Sequence, residues 1–238
     1  MARVSRLSAL TLTALLLASA AAGCKPANTT SSDRATAAAP TSGSSTAGSG
    51  DHAGNTPLAE GKGPQKTYTF EEQPAPGTCH FGDDHGQPLP DPKCTPGAVS
   101  PAVTQDTLST TICRSGGYTG TIRPPTNITN KEKAANAKSY GYTGSLHDAE
   151  YDHLISLQLG GDPNDPRNLW VEPPSPGHKA GAGPNNPKDA VETRLHTAIC
   201  KKQVTLVAAQ QAIAGDWETA EQRLGLKPDA GDASGPSD

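Results

Sequence analysis

Four cysteines, Cys79, Cys94, Cys113 and Cys200, constrain this chain most, once the N-terminus shows where they are used. Arg3 and Arg6 precede an apolar stretch from Leu7 to Ala22, and small residues follow. That order reads as an export signal over residues 1–23. An exported chain meets an oxidising compartment, where an even set of cysteines forms disulfides. We expect Cys79–Cys94, which closes a short Pro/Gly loop, and Cys113–Cys200, which joins two predicted helix ends. In the loop-entropy model these contribute about 3 and about 4–5 kcal/mol. Zinc is the rival use of four cysteines, but no CxxC spacing occurs.

The fifth cysteine, Cys24, directly follows Ala21-Ala22-Gly23. This run resembles a bacterial lipobox, with Ala21 where such boxes usually carry Leu. The resemblance implies cleavage before Cys24 and a diacylglyceryl anchor on its thiol. The expected location is extracytoplasmic and lipid-anchored, with free secretion as the alternative. The membrane would be a partner only through that anchor.

Composition divides the rest. Gly 25 and Pro 22 in 238 residues exclude a helical bundle or coiled coil. Residues 24–66 are rich in Ser, Thr, Ala and Gly, with Leu58 as their one large apolar residue, and read as a disordered tether. Residues 67–97 form a Cys/Pro-rich lead-in, poor in strands. Residues 98–225 carry the periodic signals, and 226–238 read as a polar, disordered tail.

Within 98–225, Gln105–Ile112 predicts a short helix and Tyr118–Arg123 alternates like a strand. Thr129-Asn130-Lys131-Glu132 fits a capping box opening a helix to about Tyr140. Tyr151–Leu159 predicts a strand ending at Gly160-Gly161, and Asn168–Glu172 a second strand before Pro173-Pro174. Asn186-Pro187 suits a helix start, with Val191, Leu195 and Ile199 as one apolar stripe. Thr205 opens a further helix through Leu206, Ala209 and Ile213. Gly215 interrupts it, and Asp216 begins a last turn or two to Leu224.

Chemistry concentrates in Asp152-His153-Leu-Ile-Ser-Leu-Gln-Leu-Gly160-Gly161, then Asn168-Leu169-Trp170, then Asn185-Asn186-Pro187-Lys188-Asp189 at the helix start. A carboxylate beside a histidine offers an oxygen ligand for a hard cation and a base that titrates near neutral pH. The succession is strand, turn, strand, loop, helix. It resembles the HNH nucleases, the ββα-metal endonucleases. It is most similar to the exported bacterial group with a DHLIPLxLGG…NLW run, here DHLISLQLGG and NLW, with Ser156 in place of Pro.

The resemblance spans roughly residues 76–224. It implies an α+β fold, a ββα-metal (HNH) core with flanking helices in a small disulfide-stabilised domain. It also implies a monomeric, metal-dependent endonuclease acting on DNA or RNA with one divalent ion, Mg, Mn or Zn. By the same resemblance Asp152 binds the metal, His153 is the general base, and Asn168 braces the base's strand. The third family position falls on Asn186, with Asn185 and then His178 as alternatives.

Blander roles stand beside these. Asn168 also suits a turn, and Asn186 a helix cap bonding the amide of Asp189. His178 lies in a Gly/Pro loop as a solvated residue, and His196 pairs with Glu192 on a helix surface. Glu150 is a strand-face carboxylate near the expected metal, and Trp170 and Trp217 are core residues. Removing Arg3 and Arg6 leaves 18 basic against 24 acidic residues, the opposite of a strong non-specific nucleic-acid binder. The other functional class is therefore a non-catalytic envelope lipoprotein or binding module on the same scaffold.

Overall fold

A computed structural model of the chain describes residues 57–226. The export signal, Cys24, most of the tether and the tail lie outside the described residues.

The fold is mixed α+β, with short two-stranded sheets and helices around two disulfides. Strand β1 (Ala59–Glu60) runs parallel to β4 (Ala98–Val99). The folded region thus reaches back into the segment read as tether, and Leu58 packs against the core. Strands β2 (Gly82–Asp84) and β3 (Gln87–Leu89) form a hairpin. Its two-residue turn, His85-Gly86, takes φ of 51° and 85°, the doubly left-handed geometry that matches strand twist.

Local chemistry redraws several expected elements. Gln105–Thr110 is a 3-10 helix rather than an α-helix. Threonine hydroxyls explain this, since Thr110 and Thr111 both donate to the carbonyl of Thr107 and compete with the helical ladder. The strand expected over Tyr118–Arg123 is instead a 3-10 turn at Thr119–Thr121, closed by Thr121 N–H to Tyr118 O. Helix α1 (Thr126–Ser139) starts one turn before the expected capping box, directly after Pro125. Glu132 is not free to cap, because its Oε1 accepts the Glu71 N–H at 2.8 Å.

Strand β5 (Glu150–His153) is shorter than expected, and 3-10 turn Leu157–Leu159 follows it. It pairs antiparallel with β6 (Leu169–Glu172), matching Glu150 with Glu172 and Asp152 with Trp170. The two glycines after this turn are sterically required. Gly160 has φ of 78°, and a Cβ on Gly161 would fall 1.7 Å from the Ile155 carbonyl oxygen.

Helices α2 (Lys188–Cys200), α3 (Leu206–Gly215) and α4 (Ala220–Arg223) complete the domain. The stripe Val191, Leu195 and Ile199 is buried against Ile155, Leu159, Leu206, Ile213 and Trp217. A second cluster gathers Trp170, Tyr140 and Val171 with Phe81 beside the Cys79–Cys94 bond. Both tryptophans are core residues. The disulfides are those expected, Cys79–Cys94 and Cys113–Cys200, closing sequence separations of 15 and 87.

Candidate functional site

The site forms where β5 ends against β6 and the first turn of α2. Alternation puts Glu150 and Asp152 on one strand face, with Trp170 and Glu172 opposite them. His153 is the last residue of the strand and its side chain leaves that face. Its Nε2 lies 3.0 Å from the Pro163 carbonyl oxygen. A carbonyl only accepts, so Nε2 carries the proton and the neutral ring keeps its lone pair on Nδ1. Burial, despite the Pro163 contact, pushes the His153 pKa down to about 4. The charges of Arg123 and Lys188 act in the same direction.

Asn168 builds the loop that holds this histidine. Its Oδ1 accepts the Ile155 N–H at 3.0 Å, and its Nδ2 donates to Ile155 O and Asp162 O, each at 3.0 Å. Asp162 immediately precedes Pro163, so the Asn168 amide fixes the segment that presents the carbonyl to His153. Asn168 is fully buried and also receives the Ala98 N–H at 3.4 Å. It is a brace across two loops, and it also closes the expected turn, its N–H donating to Asp165 O at 2.8 Å.

Asp152 is held differently from the expectation. The Lys188 ammonium donates to Asp152 Oδ2 at 2.7 Å and to His153 O at 2.9 Å, and also contacts Glu192 Oε1. The Trp170 indole N–H also donates to Asp152 Oδ2, at 3.3 Å. Lys188 is fully buried. Burial opposes its charge, but the carboxylates of Asp152, Glu192 and Glu172 outweigh that and hold its pKa above the ordinary lysine value. Burial and the Asp152 charge push Glu172 well above the usual carboxylate range, and Glu150 upward as well.

Asn186 stands between two carboxylates. Its Nδ2 donates to Glu150 Oε2 at 3.1 Å and Glu172 Oε2 at 3.2 Å, while its Oδ1 accepts the Lys188 N–H at 3.0 Å. The cap is thus made to Lys188, two residues on, rather than to Asp189. Asn185 is exposed. His178 belongs to another cluster, 3.5 Å from Asp148, whose carboxylate also takes the amides of Gly181 and Gly183. His196 does not pair with Glu192; its Nε2 contacts Ile112 O at 2.8 Å. The structure therefore puts Asp152 and His153 at the end of β5 with Asn168 bracing the loops beside them, seats the Asn186 side chain on Glu150 and Glu172 at the other end of the strand pair, and leaves Asn185 and His178 out.

Lys188, Glu192 and Glu172 were not singled out by the sequence. Lys188 and Glu192 carried a signal, the i,i+4 spacing of opposite charges at a helix start. Glu172 carried none, because a lone acid at a strand end before two prolines reads as solvated.

The donor types at Asp152 suit a hard divalent ion, and Glu172 Oε1 is buried without a hydrogen-bond partner. The geometry does not suit one. Asp152 Oδ2 is committed to an ammonium, and Asn186 turns its amide nitrogen toward the carboxylates. Among the described residues, only Cys113, His196 and Cys200 bring three ligand atoms within 4.8 Å of one another, a set that could hold a metal ion, but the two cysteines are joined in a disulfide. Comparisons with protein-family models, with curated proteins and with solved structures returned no match.

Proposed function

We propose that this chain is an extracytoplasmic phosphodiester hydrolase of the HNH kind, acting on DNA or RNA. The observation that carries the reading is the arrangement Asn168, Asp162-Pro163, His153 beside Asp152. A histidine whose Nε2–H is tied to a carbonyl, with Nδ1 free, is a general base with its tautomer already chosen. In this role Nδ1 takes a proton from water as the water oxygen bonds to phosphorus, the bond from phosphorus to the leaving sugar oxygen breaks, and that oxygen takes a proton from solvent. The depressed pKa keeps the ring unprotonated at neutral pH. Arg123, an exposed cation whose charge is felt at both His153 and Asp189, suits a phosphate oxygen.

Two disulfides fit a chain that works outside the cytoplasm. Among the described residues no helix is long and apolar enough to cross a membrane. A diacylglyceryl Cys24 remains part of the proposal, tested by mass spectrometry of the membrane fraction. A mature chain that starts elsewhere and is recovered free in the medium removes the anchor.

A specific observation favours the second reading, a non-catalytic binding module. The carboxylate expected to take a metal is closed by Lys188. The deciding experiment uses the full chain with both disulfides intact. Supercoiled plasmid, single-stranded DNA and RNA are incubated with Mg²⁺, Mn²⁺, Zn²⁺ or chelator. Cleavage that falls about 10²–10⁴-fold in His153→Ala supports the enzyme. No cleavage under any condition leaves the binding module.

A further inference from the structure

We infer that Lys188 is the resident cation of the Asp152 site, standing where a divalent ion would bind, so that removing its ammonium creates a metal site the wild-type chain lacks. The inference rests on reading Asp152 as the cation-binding carboxylate of the functional site.

An ammonium has three N–H donors, and all three of Lys188's are used on oxygens. The acceptors are Asp152 Oδ2 at 2.7 Å, His153 O at 2.9 Å and Glu192 Oε1. Two carboxylates and a backbone carbonyl are the donor set of a hard cation. Two further carboxyl groups stand behind them. Glu172 lies 2% exposed with Oε1 unpartnered, and Glu150 stands across from it, joined to it through the Asn186 amide. Four carboxyl groups therefore surround one positive charge.

The backbone explains how a lysine reaches this position. Lys188 is the first residue of α2, and its backbone N–H, donated to Asn186 Oδ1, fixes where the stem leaves the helix. The stem runs back to the end of β5, and Glu192, one turn on, closes the ammonium from the helix side. The side chain is 0% exposed, so no water replaces what it contacts.

A divalent ion on Asp152 in the wild-type chain would sit beside this fixed like charge in a medium that screens poorly. Lys188→Met keeps most of the stem's packing but strands the oxygens with an uncompensated charge. A divalent ion then fills the place the ammonium held.

The test compares wild type, Lys188→Met and Lys188→Met/Asp152→Asn as full, disulfide-intact chains. Mn²⁺ alone is the probe, followed by electron paramagnetic resonance and by thermal melting. Wild type should show no Asp152-dependent Mn²⁺ binding. Lys188→Met should melt lower without metal, recover part of that loss with Mn²⁺, and bind at least about tenfold more tightly than wild type. The double variant should lose that response. Should Lys188→Met not be recovered folded, Lys188→Gln is measured in its place. Wild type binding Mn²⁺ through Asp152 as tightly as Lys188→Met overturns the inference. So does a folded Lys188 variant with no metal response, or failure of both variants to fold with Mn²⁺ present. None of these readouts needs cleavage, so a chain without nuclease activity can still pass and an active nuclease can fail.

Discussion

Asn168 and Ile155 hold each other through both backbone groups of Ile155, whose N–H and C=O each meet the Asn168 amide at 3.0 Å. Substitution there strands buried groups on two loops. Asn168→Ala leaves Ile155 N–H, Ile155 O and Asp162 O without this partner, each costing about 1–3 kcal/mol when unsatisfied. We expect Asn168→Ala to lower the unfolding free energy by about 3 kcal/mol or more. Asn168→Asp should also fail, because a carboxylate has no N–H for the two carbonyls. Urea denaturation checks both. A loss below about 1 kcal/mol in Asn168→Ala would show that water fills the gap and that the brace is dispensable.

The Asp152–Lys188 pair makes a second prediction, about stability. Breaking a buried ion pair by removing one partner costs about 3–5 kcal/mol, because the other charge stays buried alone. Asp152→Asn and Lys188→Met should each destabilise strongly, and the double variant by clearly less than their sum. A double-mutant cycle from denaturation curves measures this, with an expected coupling of about 1–3 kcal/mol. Glu192 also contacts the ammonium and softens the Asp152 loss, so Lys188→Met should be the more damaging single change. Strict additivity would mean that Asp152 and Lys188 do not share their charge. The same logic makes Asp152→Ala a poor probe of metal affinity, since it disturbs folding first.

Much of this was legible in the residues. The stripe Val191–Leu195–Ile199 and the second strand before Pro173 followed from local periodicity, and the cysteine pairing, favoured among three, from the short loop closed by one bond and the helix ends joined by the other. The short first strand was not, since Leu154 to Leu159 alternates weakly like a strand, and the turn depends on Gly161 meeting the Ile155 carbonyl. The start of α1 was misplaced because Glu132 serves a residue 61 positions away. At the site, Asp152 and His153 share the end of β5, Asn168 reaches His153 through Asp162-Pro163, and Asn186 reaches Asp152 through Lys188. What occupies Asp152 could not be read from sequence, because a lysine one residue beyond a predicted helix start usually points to water. Only tertiary packing turns it inward.

The two disulfides should differ in weight. Cys113–Cys200 closes a loop of 87 residues and Cys79–Cys94 one of 15. In the loop-entropy model their removal costs about 4–5 and about 3 kcal/mol. Cys113→Ala/Cys200→Ala should therefore melt below Cys79→Ala/Cys94→Ala by several degrees. The first bond also ties the end of α2 to the core that backs Lys188, so its loss should loosen the site. Calorimetry of the two double variants measures the order. The reverse order would mean that packing of Phe81, Tyr140 and Trp170 around Cys79 outweighs loop length.

His153 gives the chain a defined acid sensitivity. Its pKa is about 4 in the folded protein, against an ordinary value of 6.5. Between these values the unfolded chain binds a proton that the folded chain refuses. Acidification therefore favours unfolding, and the histidine's contribution is intact above about pH 6.5 and is lost as pH falls toward 4. The difference corresponds to roughly 3 kcal/mol across the window. Other groups titrate in the same range, notably Glu150 and Asp162, whose carboxyls burial pushes up, while Asp148, held low by the Gly181 amide, loses its stabilisation only below that window. Comparison with His153→Gln isolates the histidine. The stability gap between pH 7 and pH 4.5 should narrow by about 2 kcal/mol or more in the variant. Under the proposed hydrolase reading, the acid limb of the rate should lie near pH 4 rather than 6.5, because the buried base remains unprotonated until then. An acid limb near 6.5, with no narrowing of the stability gap, would show that the ring is solvated in the working protein and that the Pro163 contact opens.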